Sequence, residues 1–148
     1  MRHFFLVLSA LLMVSVLSVS VVAAATTFNI KLEPEAAAPD ASGHAKLQFF
    51  PEEELICYTI KWKGVDGPVT GGHIHTIHTI PPGGIVVSLF GGPLGAATDY
   101  PGDKFKVSDC VSASAATMDA ILADPSGYYV NLHTDPAFAS VLHGPLGE

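Results

Sequence analysis

Arginine is absent from the sequence after Arg2, and charge of either sign is scarce. Charged residues make up 14% of the chain, against about 25% in an ordinary soluble domain. The bases beyond Arg2 are six lysines, and set against 14 acidic residues they leave a net charge of −8. That excess of acid argues against nucleic acid or another polyanion as a partner. With 148 residues there is room for a single hydrophobic core, so a two-domain enzyme, a TIM barrel and a full dinucleotide-binding fold are all excluded. The sequence also lacks a G-x-S-x-G elbow, an H-E-x-x-H pair, a phosphate loop and an obvious carboxylate pair, and no catalytic residue is assigned.

Cysteine is nearly absent as well. Cys57 and Cys110 are the two present, with no C-x-x-C or Cys/His pattern around either. The start of the chain bears on how they behave. Met1-Arg2-His3 is a short basic opening, the stretch from Phe4 to Val22 is apolar apart from four serines, and Ala23-Ala24-Ala25 supplies the small residues of a cleavage site. Residues 1–25 therefore read as an export signal and 26–148 as the mature domain, secreted or otherwise extracytoplasmic. An uncleaved anchor is the alternative, because the apolar run nearly reaches spanning length. After cleavage no membrane association is expected. In an oxidising compartment two lone cysteines most simply pair, so a Cys57–Cys110 disulfide is expected; two buried free thiols are the alternative.

What is present in quantity is turn chemistry. Gly 14 and Pro 11 favour many short strands over a helical bundle. Period-2 alternation marks the strands. The first runs from Thr27 to Leu32. In the second, Gly43 to Phe50, Ala45, Leu47 and Phe49 share one face. In the third, Leu55 to Trp62, Ile56, Tyr58, Ile60 and Trp62 do the same. Pro51-Glu52-Glu53-Glu54 forms the turn between the second and third and reads as a solvated tip. Gly71 to Ile77 and Ile85 to Phe90 follow, separated by a loop that contains Pro81 and Pro82. A long glycine-rich loop over 91–102 leads to a short strand from Lys104 to Val107. Ser112 or Ser114 can cap a helix over Ala115 to Leu122, and Tyr128 to Thr134 and Val141 to His143 close the domain. The fold class expected is all-β, an antiparallel β-sandwich or small Greek-key barrel with one short helix. Ile56, Tyr58, Ile60, Ile74, Val130 and Leu132 should be buried.

Three of the seven histidines fall in Gly72-His73-Ile74-His75-Thr76-Ile77-His78. On a strand His73 and His75 share the face opposite Ile74, which places the imidazoles outside the apolar core. The same alternation in Tyr129-Val130-Asn131-Leu132-His133-Thr134 sets Tyr129, Asn131 and His133 against Val130 and Leu132. If the two strands are neighbours, His73, His75 and His133 converge. Imidazoles held by a rigid sheet suit copper or zinc. His78 is a candidate fourth ligand, and Tyr129, Asn131 and Thr134 are candidates to orient the ligand rings. The competing reading is that the histidines are hydrogen-bonded strand residues with no ion. His44 and His143 read as exposed strand positions.

Several blocks occur together and in order. They are Ser42-Gly43-His44-Ala45, Gly72-His73-Ile74-His75, Gly84-Ile85-Val86-Val87-Ser88-Leu89, Tyr129-Val130-Asn131-Leu132-His133-Thr134 and Leu142-His143-Gly144-Pro145-Leu146. The set resembles the CHRD domain, the module named after chordin and also found alone in secreted microbial proteins. The resemblance implies an all-β sandwich, and in chordin such domains belong to an extracellular antagonist of growth factors; the partners expected are a metal ion, on the strength of the histidines, or an extracellular protein. His143 stands where the family usually has an arginine. A weaker likeness is to Cu/Zn superoxide dismutase, which also pairs an HxH strand with a late histidine. That enzyme needs a bridging histidine and a guiding arginine, whereas no histidine lies between His78 and His133 and no arginine follows Arg2. Three functions therefore compete: an exported metal-binding module, a dismutase-like copper redox enzyme, and a metal-free structural or adhesive module.

Overall fold

The structure, a computed structural model, describes residues 24–78, 83–91, 100–134 and 139–147. Most of the signal segment, the prolines of the 79–82 loop and the middle of the glycine-rich loop lie outside these residues. Eight antiparallel strands form one sheet in the order β5-β4-β7-β8-β1-β2-β3-β6. They are β1 (Thr26–Pro34), β2 (Ser42–Phe50), β3 (Leu55–Lys63), β4 (Val69–Thr76), β5 (Gly84–Phe90), β6 (Lys104–Ser112), β7 (Tyr128–Thr134) and β8 (Ala139–Pro145). The helix α1 (Ala115–Ala123) lies between β6 and β7. The sheet curls into a nearly closed barrel in which β1 joins two halves: Thr26 to Leu32 pair with β2, and Glu33 and Pro34 pair with His143 and Leu142 of β8.

Alternation sets the inner face as expected. Ala45, Leu47 and Phe49 are buried, as are Ile56, Tyr58, Ile60 and Trp62, and Ile74, Val130 and Leu132 are fully enclosed. Two strands run longer than their sequence pattern suggests. β6 continues past Val107 to Ser112 because all nine of its residues pair with β3, and β8 extends from Ala139 to Pro145 on its ladder with β7. In both cases ladder hydrogen bonds carry polar or small residues that alternation alone leaves undecided.

No ladder joins β5 to β6, and aromatic rings fill that seam. Trp62 stacks on Phe90 of β5 with ring centroids 6.0 Å apart and meets Phe105 of β6 at 5.6 Å. Tyr100 packs on both Phe90 and Phe105. The Trp62 indole donates to the Pro101 carbonyl at 2.9 Å, which satisfies its one polar atom.

Ser114, and not Ser112, caps α1, its hydroxyl accepting from the Thr117 amide at 3.2 Å. Met118 and Ile121 bury the helix against one end of the barrel. The acidic turn proves to be more than a solvated tip. Glu54 adopts a left-handed conformation, φ 53°; its carbonyl accepts from Ala113 and its carboxylate from the Ala115 amide at 3.4 Å. A carboxylate at the first helical turn offsets the positive end of the helix dipole.

Cys57 and Cys110 face each other directly across β3 and β6 and form the expected disulfide, with Cα atoms 3.9 Å apart.

Burial, with Asp109 and Tyr100 adding to it, pushes the Tyr58 hydroxyl up to about 12. A folded-state value above the unfolded one near 10 favours the native state fully below pH ~10, and this contribution is lost as pH rises toward 12. Stability should therefore decline between about pH 10 and 12, and less so in Tyr58→Phe. Denaturant melts across that range, followed by circular dichroism, check this; equal slopes in the two proteins would remove Tyr58 as the cause.

Candidate metal centre

The site begins with the pairing of β4 and β7, strands that α1 separates in the chain. Their register sets His73 opposite Asn131, His75 opposite Tyr129 and Gly71 opposite His133. One face of this two-strand ribbon thus carries His73, His75 and His133, and the other carries Ile74, Val130 and Leu132 in the core. Two glycines precede the first histidine for different steric reasons. A Cβ on Gly71 would lie 3.2 Å from the His73 ring, and one on Gly72 would lie 2.4 Å from the Phe90 ring on the core side. Small residues at both positions let an imidazole and a phenyl ring close over the two faces of the same strand.

The three rings do converge. Their centroids lie 5.0 to 5.5 Å apart, and one ligating nitrogen from each falls within 4.8 Å of the others. His75 Nε2 and His133 Nε2 are 3.3 Å apart; two nitrogens bound to one tetrahedral ion at 2.0–2.1 Å are about 3.4 Å apart. The set as a whole is a little looser than the roughly 4 Å that shared ligation requires. The rings are enclosed: His73 is 0% exposed, His75 5% and His133 7%. They lie outside the apolar core and are still enclosed.

His75 Nδ1 lies 2.6 Å from the Gly83 carbonyl. A carbonyl oxygen only accepts, so Nδ1 donates to it and Nε2 is the nitrogen that faces His133. Tyr129 stacks on the His75 ring at 5.2 Å and 17°. Burial, and secondarily the charge of Glu35, raises the Tyr129 hydroxyl above its ordinary value.

The other candidates are placed differently. His78 is not brought to the cluster; its Nε2 sits 2.9 Å from Asp124 Oδ2, on an exposed pair. The Ser126 hydroxyl holds the Asp124 carboxyl below its usual range against the opposing effect of desolvation, and His78 adds to the lowering. Asn131 lies opposite His73 and its Oδ1 accepts from Ser140 at 2.8 Å. Thr134, one residue past His133, alternates onto the side of Val130 and Leu132, so it does not share the imidazole face. His143 is not a plain exposed residue: it lies opposite Asn131, with Nδ1 2.8 Å from Glu35 Oε1. Glu35 also accepts from Ser140. A chain of polar side chains thus runs from Glu35 and His143 through Ser140 to Asn131, beside the imidazoles. The β7–β8 hairpin could have pointed to His143; Glu35, on a loop, had no such signal.

The fold and the site define a small antiparallel β-barrel with buried imidazoles on the outer face of one ribbon. The CHRD domain model matches residues 21–144, most of the chain, and the protein belongs to the CHRD domain family. No curated protein and no solved structure matches it. Family membership supports an extracellular binding module, and the disulfide is consistent with that setting. Among the described residues no helix is long and apolar enough to cross a membrane.

Proposed function

We propose that this CHRD domain is an exported module that binds one copper or zinc ion through His73, His75 and His133. The observation that carries the reading is the convergence of three enclosed imidazoles from two strands, with ligating atoms within 4.8 Å. Three neutral imidazoles suit either ion and leave one position for water or a partner's ligand. The His75–Gly83 bond supports this reading, since ligating histidines commonly donate their second ring N–H to a carbonyl. Ligation through His133 Nε2 would displace the hydrogen it shares with His75, so binding releases or relocates a proton.

Titration with Zn²⁺ and Cu²⁺ alongside elemental analysis tests the proposal. His73→Ala/His75→Ala should weaken uptake by more than about 100-fold, because altering even an outer partner of a ligand costs about 10–100-fold. His78→Ala should leave uptake unchanged. Affinity should also fall on acidification, because ligation requires neutral imidazoles and competes with protons for their nitrogens. Equal uptake by the double variant and the parent would sink the metal reading and favour the metal-free structural module, for which the His75–His133 bond is the supporting observation. Turnover of superoxide by a copper-loaded sample would favour the redox enzyme instead.

A further inference from the structure

The net charge hides a polarised surface. All six lysines stand on the outer face of the β1–β2–β3–β6 half of the barrel, the half away from the imidazoles. Register places Lys31 opposite His44, His44 opposite Lys61 and Lys61 opposite Lys106, which makes one transverse row of basic side chains across four strands. Lys63 and Lys104 pair directly in the row above, and Lys46 extends the patch below, opposite Asn29. Strands about 4.8 Å apart, with same-face residues roughly 6.6 Å apart along each, put these ammonium groups on a regular grid. Glu33 is the one acid among the outward positions of these strands, at the margin, where it pairs with Lys31 at 2.7 Å. Lys61, Lys63, Lys104 and Lys106 also border an open depression that Trp62 and Phe105 help to line and whose surface is mostly apolar.

Like charges directly across a ladder are destabilising, and here two such lysine pairs are adjacent. Protection of a sheet edge accounts for lysines on β6, the edge strand. It does not account for Lys61, Lys63 and Lys46 on the interior strands. We propose that this face binds a linear acidic polysaccharide, whose carboxylate or sulfate groups lie along the lysine rows. The remaining outward positions include Asn29, Gln48, Thr59 and Ser108, which can hydrogen-bond to sugar hydroxyls. Around the lysine rows the outward side chains are basic or polar, and the outward apolar pair Phe50 and Leu55 lies at the far end of the β2–β3 ladder, beyond Lys46 and Gln48. Net charge argued against any polyanion; its distribution reverses that conclusion for this face.

Calorimetric titration of the purified protein with polygalacturonate and with dextran sulfate, between about 50 and 200 mM salt, tests the proposal. Binding should weaken steeply with salt, and preference for one polymer identifies carboxylate or sulfate as the group recognised. Lys61→Gln/Lys106→Gln should bind at least tenfold more weakly, with a salt slope smaller by about two. Ala116→Glu/Ala120→Glu changes net charge equally, on exposed positions of α1, and should retain the parent affinity. Lys61→Arg/Lys106→Arg should restore binding, which separates loss of charge from loss of fold. Equal loss in the Gln and Glu variants, absence of binding to both polymers at the lowest salt, or tighter binding to single-stranded DNA, anionic vesicles or polyglutamate would overturn the proposal.

Discussion

Replacing Cys57 and Cys110 together by alanine is expected to lower the unfolding free energy by about 4 kcal/mol. The bridge joins residues 53 apart in sequence, and loop-closure entropy for a ring of that size lies between about 3 and 4.7 kcal/mol. The native cost is small, because the bridge lies on the outer face of β3 and β6 and Cys110 is exposed, so its removal opens no core cavity. Most of the effect thus arises in the unfolded chain, which gains freedom between the second hairpin strand and the far edge of the sheet. Urea unfolding of the parent and the double variant gives the difference directly. A loss below about 1 kcal/mol would mean that the unfolded chain already holds β3 and β6 together.

Trp62→Ala should cost about 3–5 kcal/mol. Trp62 is 2% exposed and links the two unpaired edges of the barrel, where rings replace ladder hydrogen bonds. Its loss leaves a cavity between Phe90 and Phe105 and deprives the Pro101 carbonyl of its donor. Trp62→Phe keeps most of the ring contact and should cost markedly less, roughly the cavity difference plus about 1 kcal/mol for the hydrogen bond. Because Trp62 is the sole tryptophan, far-UV circular dichroism rather than intrinsic fluorescence must follow the melts. If the two variants lose equal stability, the hydrogen bond to Pro101 and not ring packing closes the seam.

Local alternation made the strands and the core legible, since the inward sets Ile56-Tyr58-Ile60 and Ala45-Leu47-Phe49 depend on period 2 alone. The face shared by His73 and His75 follows from the same rule. What alternation does not contain is which strand lies beside which. The convergence of His133 on the pair required β7 to be the neighbour of β4, and the burial of all three rings required cover that no period reports. His78 illustrates the limit: it lies past the end of β4, where the ladder stops constraining direction, and it turns to Asp124. The lysine row is the extreme case. Lys31, His44, Lys61 and Lys106 belong to four separate strands, so only register brings them into line, and a summed charge of opposite sign concealed them.

The position of β1 between β8 and β2 has a consequence for how the barrel is assembled. The β1–β2–β3 meander and the β7–β8 hairpin join neighbours in sequence, whereas Glu33 meets His143 and His73 meets Asn131 only across long chain separations. Contacts of that kind raise contact order and slow folding, because chain entropy is surrendered before the pairing rewards it. The strands that would hold an ion thus come together by a non-local pairing, and the unfolded chain presents no assembled imidazole cluster. An ion that binds only the assembled cluster would act chiefly on the unfolding rate, as interactions formed after the transition state do. It would lengthen the lifetime of the folded barrel without changing the rate at which the chain first folds.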